Sequence, residues 1–516
     1  MKGRQAGRNH LPLSRGSGSA DGRGGRGVRA WAALAVLLLL LVPALAIARP
    51  GGGEGYSGGG DGGGGGDGAG ELVFFLLRLW FEFVIHYPAI GVPMTIAGII
   101  VFLIWKKRRG SAGSQNWDLT PQHVAPPTRP RSFDLDSIRQ ADPQFSVVLF
   151  EDFAYALYAR AHQARTDRHA LDGLAPYLSA AARDHLQQRP PVGAPVTSAV
   201  VGAMRVLQLA FPQGWIQVGL EFEANLTVGE GGQYVRERWA LVRSATAQSK
   251  PPEQVKSFKC PNCGAPFDPA GAAAGDRCGF CGEVVSGGRF DWTVQSIELL
   301  KVEARPPALT STVQEVGTDW PTVYHPQVQP RRAELLRDDP ASTDDALGAR
   351  LRLVYEQLNA AWTSLDLRPA RPFVSDGLFD YLQYWIASYQ KQGLRNVLEG
   401  MRMTEWTIAK VVRDAHYDSI TFRIWGTGRD YTVRQADGGP VSGNPKKDRL
   451  YSEYWTLIRA AGVHGAPRAD RTCPNCGASV DQVNMAGECG HCGAKITRGD
   501  FDWVLSKIEQ DDSYSG

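Results

Sequence analysis

The eight cysteines of this 516-residue chain fall into two sets of four, and no other residues in it are spaced so plainly for chemistry. The first set is Cys260 and Cys263 followed by Cys278 and Cys281. The second is Cys473 and Cys476 followed by Cys489 and Cys492. Each pair is a C-x2-C closed by glycine (Gly264, Gly282, Gly477, Gly493), which suits the positive-φ position of a tight turn. Two such turns bring four thiolates together, the ligand set of tetrahedral Zn2+. The pairs are 14 residues apart in the first set and 12 in the second, a gap that a short zinc-ribbon hairpin closes. We read two structural zinc sites, closed by four protein ligands each and so leaving no position for substrate or water. Disulfides and redox-active C-x2-C pairs are the alternatives. The first needs an oxidising compartment, and the second the helix start of a βαβ unit, which the pattern lacks. His491, inside the last knuckle, is read as a solvent-facing loop residue because all four thiols are present.

Each set is followed by the same tripeptide, Phe290-Asp291-Trp292 and Phe501-Asp502-Trp503. Each is preceded by Glu-x-Trp-x-x-aliphatic-Arg, from Glu237 through Trp239 to Arg243 and from Glu453 through Trp455 to Arg459. The order repeats further upstream. Phe145, Leu149, Phe153, Ala156 and Leu157 recur at helical steps, as do Leu347, Leu351, Val354, Leu358, Ala361 and Trp362. Second helical stretches cover 174–186 and 377–389. Strands are expected over 200–211 and 215–226, with counterparts at 404–413 and 417–425. After the knuckles both copies resume with Trp-x4-Ile-Glu. Helices followed by an antiparallel meander indicate an α+β domain whose curved sheet wraps a long helix. The expected organisation is a first domain at 141–302 with its ribbon at 258–284, a linker at 303–345, and a second domain at 346–511 with its ribbon at 471–495.

The chain before the duplication is built for a membrane. Residues 1–48 read as a signal peptide or, if uncut, a signal anchor. Residues 49–70 are a glycine-rich linker, with 14 glycines among positions 51–70. An interfacial helix is expected at 71–88 and a transmembrane helix at 89–105, closed by Lys106-Lys107-Arg108-Arg109 on the cytoplasmic side. A tether follows over 106–140. Cleaved or not, the first segment leaves the C-terminal domains in the cytoplasm, so the expected location is the cell (inner or plasma) membrane. A net charge of +3, from 56 basic and 53 acidic residues, gives no nucleic-acid footprint.

Asp142-Pro143-Gln144-Phe145, the helix running to Arg160, Leu174-Ala175-Pro176-Tyr177-Leu178-Ser179 and the Glu237-x-Trp239 strand together resemble the Tim44-like domain family. The second copy resembles it less: Phe373-Val374-Ser375 only echoes Tyr177-Leu178-Ser179, and no Asp-Pro-x-Phe precedes its helix. The resemblance implies tandem cone-shaped domains of the cystatin-like or nuclear-transport-factor-two-like type. It also implies contact with the lipid bilayer and with a protein partner. The chain lacks the long N-terminal chaperone-binding region of the mitochondrial relative, so recruitment of an import motor does not carry over. The function expected is a membrane-anchored adaptor, not an enzyme, with no catalytic residues. The alternative is a small-molecule or enzymatic pocket in the cone, for which Glu221, Glu223 and Arg205 are the candidates. Alternation of Glu221 and Glu223 with Val218, Leu220 and Phe222 reads more simply as the polar face of a half-solvated sheet. Glu237 and Glu453 read as paired or sheet-edge carboxylates, and Trp239, Trp292, Trp455 and Trp503 as core. His162, His169 and His185 read as surface residues.

Overall fold

Two serine/threonine caps start the long helices. Ser146 accepts from the Leu149 N–H and opens α1 (Val147–Ala164), and Thr343 accepts from Ala346 and opens α5 (Asp344–Ser364). The computed structural model describes residue 86 and residues 133–269, 276–304, 309 and 315–516. The signal segment, glycine-rich linker, interfacial helix and transmembrane helix expected from the sequence lie outside these residues. Among the described residues no helix is long and apolar enough to cross a membrane.

The first half continues through α2 (Arg168–Asp172) and α3 (Ala180–Gln187). An antiparallel sheet follows, β1 (Val196–Ala210), β2 (Trp215–Val228), β3 (Gly231–Ser244) and β4 (Thr293–Ala304), in the order β1-β2-β3-β4. The second half begins with α4 (Val328–Asp338) before α5, and α6 (Asp376–Lys391) follows. Its sheet runs β5-β6-β8-β9, from β5 (Leu394–Arg413), β6 (Tyr417–Arg434), β8 (Arg449–Ala460) and β9 (Val504–Gln510), with the short β7 (Pro440–Gly443) paired to β6. In each half the long helix packs on the first strand, α1 on β1 and α5 on β5. This mixed α+β architecture with two antiparallel sheets is consistent with cone-like halves.

Matching contacts recur in both halves. Trp239 faces Leu220 across the sheet and Trp455 faces Phe422. Ser179 and Ser375 each cap the following helix. The residues before them, Leu178 and Val374, bridge in parallel to Val294 and Leu505 on the last strand. The weak sequence echo at Phe373-Val374-Ser375 is therefore a full structural match.

No Asp-Pro-x-Phe precedes the long helix of the second half, yet its start follows that of the first. Asp339-Pro340 stands in the place of Asp142-Pro143, each Asp four residues before its helix cap. Asp142 pairs with Arg243 at 2.8 Å and Asp339 with Arg459 at 2.8 Å, all four side chains buried. Each arginine also stacks on the tryptophan that follows the cysteine insertion, Arg243 at 4.8 Å from the Trp292 centroid and Arg459 at 4.6 Å from Trp503. The segment expected as a tether to residue 140 ends in a 3-10 turn at Leu135–Gln140, opened by Asp134 accepting from Asp136 N. The segment expected as a linker over 303–345 contains α4. The second helical stretch of the first half is divided, with α3 covering only its end, and β5 begins at Leu394, well before residue 404.

The halves dock through α1. Leu149 packs on Tyr417, Ile458 and Val504 of the second half. Arg139 donates to the Arg413 carbonyl at 2.5 Å, and α6 reaches across to β1.

Removing one partner of a buried ion pair strands a charge, at a cost of about 3–5 kcal/mol. Asp142→Ala and Asp339→Ala are each expected to lower unfolding stability by that amount in urea titration. Asp338→Ala, which removes the neighbouring exposed carboxylate, is expected to leave it nearly unchanged.

Candidate metal centres and the cleft between the halves

All four cysteine pairs fold into the same knuckle. The N–H of the glycine after each pair returns to the carbonyl of the first cysteine (Gly264 to Cys260, Gly282 to Cys278, Gly477 to Cys473, Gly493 to Cys489) at 2.8–2.9 Å. These glycines sit at φ 75, 72, 76 and 70°, where a side chain would be strained. Cys260 and Cys281 Sγ lie 3.9 Å apart, as do Cys263 and Cys278, Cys473 and Cys492, and Cys476 and Cys489. Zn–S bonds of about 2.3 Å in a tetrahedron place sulfurs about 3.8 Å apart, so the thiol positions fit that ion. None of the eight is in a disulfide. Within each set the four sulfurs lie within 4.8 Å of one another, and each set could hold a metal ion such as zinc.

One thiol in each set is favoured as thiolate, whereas burial pushes Cys260 up to about 12 and also raises Cys473. Donation by the Ala494 backbone and the Asn475 amide brings the Cys492 thiol down to about 6. Asn262 and the Glu283 backbone bring Cys281 down to about 7. His491 is exposed and not among the ligands; the first module carries Phe280 at the same position, 72% exposed.

Each module is fastened to its own half. Tyr177 Oη donates to the Lys259 carbonyl at 2.6 Å, and Phe258 packs on Phe153 and Tyr177. In the second half Arg371 donates to the Met485 carbonyl at 2.8 Å, and Thr497 and Lys495 bond Asp376 at the start of α6. The Phe-Asp-Trp signature now has roles. Phe290 packs beside the first cysteine cluster, Asp291 and Asp502 accept from the N–H of the following tryptophan, and that tryptophan lies under the arginine.

Of the sequence candidates in the first sheet, Arg205 bonds both Glu221, at 3.4 Å, and Glu223. Glu223 is buried, not half-solvated, and is satisfied by Arg205 at 2.5 Å and Tyr234 Oη at 3.0 Å. Glu237 and Glu453 are also buried, so neither is a sheet-edge group. Each accepts from the indole of its own motif, Trp239 at 3.2 Å and Trp455 at 2.8 Å. The four motif tryptophans are core, as expected. His162 is fully buried against Glu237 at 3.0 Å, not on the surface, whereas His169 is exposed.

The sequence did not reveal a cleft of about 700 Å3 between the halves. Its apolar wall includes Val148, Ala156, Met204, Val206, Val412 and Ile508. Its polar centre is Lys507, which bonds Glu151 of α1 at 2.7 Å beside Tyr155 and Glu509. Burial works to lower the Lys507 ammonium, but the Glu151 and Glu509 carboxylates together carry it well above the usual lysine range. Burial raises the Glu509 carboxyl against the opposing pull of Lys507. The C-terminal residues 513–516 line one side, with Lys410 Nζ on the Gly516 carbonyl at 3.1 Å. That tail is held by Asp511, which pairs with Arg423 at 2.9 Å and accepts from Ser452.

Removal of metal is expected to unravel the modules. Metal analysis of the purified chain should give about two ions per chain, falling to about one in Cys473→Ser/Cys476→Ser, and a strong chelator should lower the melting midpoint. Asp511 gives a pH test. Burial, with Glu315 and Glu453 nearby, raises its carboxyl from 3.8 to about 7 against the pull of Arg423. Over that interval the folded chain keeps a proton that the unfolded chain has lost. Its contribution to stability is therefore full below pH about 4 and declines as pH rises towards about 7. Asp511→Asn is expected to flatten that decline in a stability–pH profile.

Residues 333–468 match the family model of the Tim44-like domain. The matched region starts within α4, spans α5, α6 and β5–β8, and ends just before Cys473, so both cysteine sets lie outside it. No curated protein matches the chain. The second half of this protein carries a Tim44-like domain.

Proposed function

We propose that the protein is a membrane-anchored adaptor whose two halves are tandem Tim44-like domains, each stiffened by a structural zinc, and which holds a protein partner at the cytoplasmic membrane surface. The observation that carries this reading is the Tim44-like match over 333–468. The repeated Asp–Arg–Trp contacts support extending the domain to the first half. The apolar segment at 89–105 with its basic flank supports the anchor. Zinc fits because each set offers four cysteine sulfurs and no open ligand position, which suits scaffolding and not Lewis-acid chemistry. The carboxylates of the first sheet are spent on arginine, tyrosine and tryptophan partners, which counts against a hydrolytic or acid–base site there.

The cleft between the halves is the proposed partner site, because it has the volume and mixed lining of a binding pocket and both halves build it. The test is site-specific photocrosslinking of the full-length chain in native membranes. The probe replaces Met204 in the cleft or Phe280 on the first cysteine module. A discrete crosslinked protein from position 204 and none from 280 is the expected result. Crosslinks at neither position, with a metabolite retained by the purified chain in native mass spectrometry, would instead identify the cleft as a small-molecule pocket.

A further inference from the structure

The core of the first half holds more positive charge than its own residues neutralise. Arg165 ends α1 and Arg189 follows α3; both are buried, 2% and 4% exposed. Arg189 pairs with Glu237, the carboxylate that also meets His162 and Trp239. Arg165 has no hydrogen-bonding partner on any of its three nitrogens among the described residues, and the neighbouring Tyr158 hydroxyl has none either. Of the two guanidiniums only Arg189 has a carboxylate, so the Arg165 charge is buried and unanswered unless an anion completes the site. His162 stays neutral, held well below the usual histidine range by burial and by Arg189 and Arg165. Its Nε2–H donates to Glu237, and its buried Nδ1, without a partner, is left as an acceptor.

The second half shows that the fold does not demand this. Counting from the matching caps, Tyr158 corresponds to Tyr355, His162 to Asn359, Arg165 to Trp362 and Arg189 to Trp385. There the Tyr355 hydroxyl meets that of Tyr451, and the Trp362 indole donates to Asn396 at 2.9 Å. In the first half Val235 stands where Tyr451 would be, so the Tyr158 hydroxyl loses its partner. The chain neighbours of the two arginines, Thr166, Gln188 and Pro190, are exposed.

We infer that the core of the first half binds a protonated oxyanion, of which a phosphate group carrying one hydroxyl is the type. The Arg165 guanidinium and the Tyr158 hydroxyl donate to its oxygens, planar guanidinium being matched to such groups. His162 Nδ1 accepts from its hydroxyl. Sulfate has no proton to give at neutral pH and lacks that last bond.

The test uses the full-length chain in detergent, with thermal melts and calorimetric titration against inorganic phosphate, glycerol phosphate, sulfate and chloride at equal ionic strength. The expected result is a saturable upward shift with phosphate or glycerol phosphate that sulfate and chloride do not produce. Glycerol phosphate acting alone would identify a monoester as the ligand, and both acting would identify free phosphate as sufficient. Arg165→Met is expected to weaken binding at least tenfold. Arg189→Trp, which installs the second half's residue, is expected to do the same while leaving circular dichroism and metal content unchanged. No saturable shift with either phosphate, an equal shift with sulfate, or a shift retained in folded variants would overturn the proposal.

Discussion

The rest of each half hangs on a buried carboxylate–guanidinium pair laid over a tryptophan. Arg243 and Arg459 end the strand from which each cysteine module is inserted, and Trp292 and Trp503 begin the return. Stacking the arginine on that tryptophan shuts the base of a long insertion, which would otherwise prise β4 from β3 and β9 from β8. Asp142 and Asp339 bring the chain leading to the long helix to the same point. One interaction therefore fixes where the helix begins, where the sheet is interrupted and where it resumes. A buried pair adds little net stability over an apolar contact, but it is costly to misplace. That makes it a device for register more than for strength. A metal bound by the cysteines has only to order a hairpin whose ends are already clamped.

On this shared frame the two cores have diverged. The second half fills its cone with Trp362, Trp385 and Tyr389, joins the Tyr355 hydroxyl to that of Tyr451 and gives the Trp362 indole to Asn396. The first places two arginines and a histidine at the matching depth. Tryptophan there gives packing, whereas arginine gives charge that has to be answered. Aromatic filling suits a half whose outer face supports its neighbour, and the charged core belongs to the half that meets it with α1, β1 and the turn at Leu135–Gln140.

What could be read from the sequence followed from how locally each feature is specified. The cysteine knuckles are legible because a turn, a glycine and two thiols are fixed within a few residues, and the backbone bonds follow. The strand motif is legible because Glu237-x-Trp239 bonds within itself, as Glu453-x-Trp455 does. Asp339 is hidden because Asp-Pro-x-Phe does not recur: the second half has Ser342 where the first has Phe145. The aspartate's role depends on an arginine 120 residues away, and the aromatic residue is incidental to it. Helix α4 is hidden in a segment bounded by prolines and poor in apolar residues, with only Val328 and Leu335 buried. His162 reads as a surface residue because its partner is on β3, and nothing near it in the chain marks it as buried. The cleft cannot be seen at all, since its wall is drawn from both halves.

The docking of the halves is directional. Glu151 on α1 of the first half finds Lys507 on β9 of the second, a strand that begins directly after Trp503. The metal module, the closing strand and the inter-half contact thus lie along one short run of chain, and disorder in the module passes first to the cleft. The matching strand of the first half places Ser296 where Lys507 would be and Glu298 where Glu509 would be, both exposed. A second Glu151 would find no ammonium there, and Glu298 would repel it. A head-to-tail contact of this kind could in principle continue from chain to chain. Here the charge that anchors it exists on one face only, so the contact is confined to the two halves of one molecule and the cleft is built once per chain.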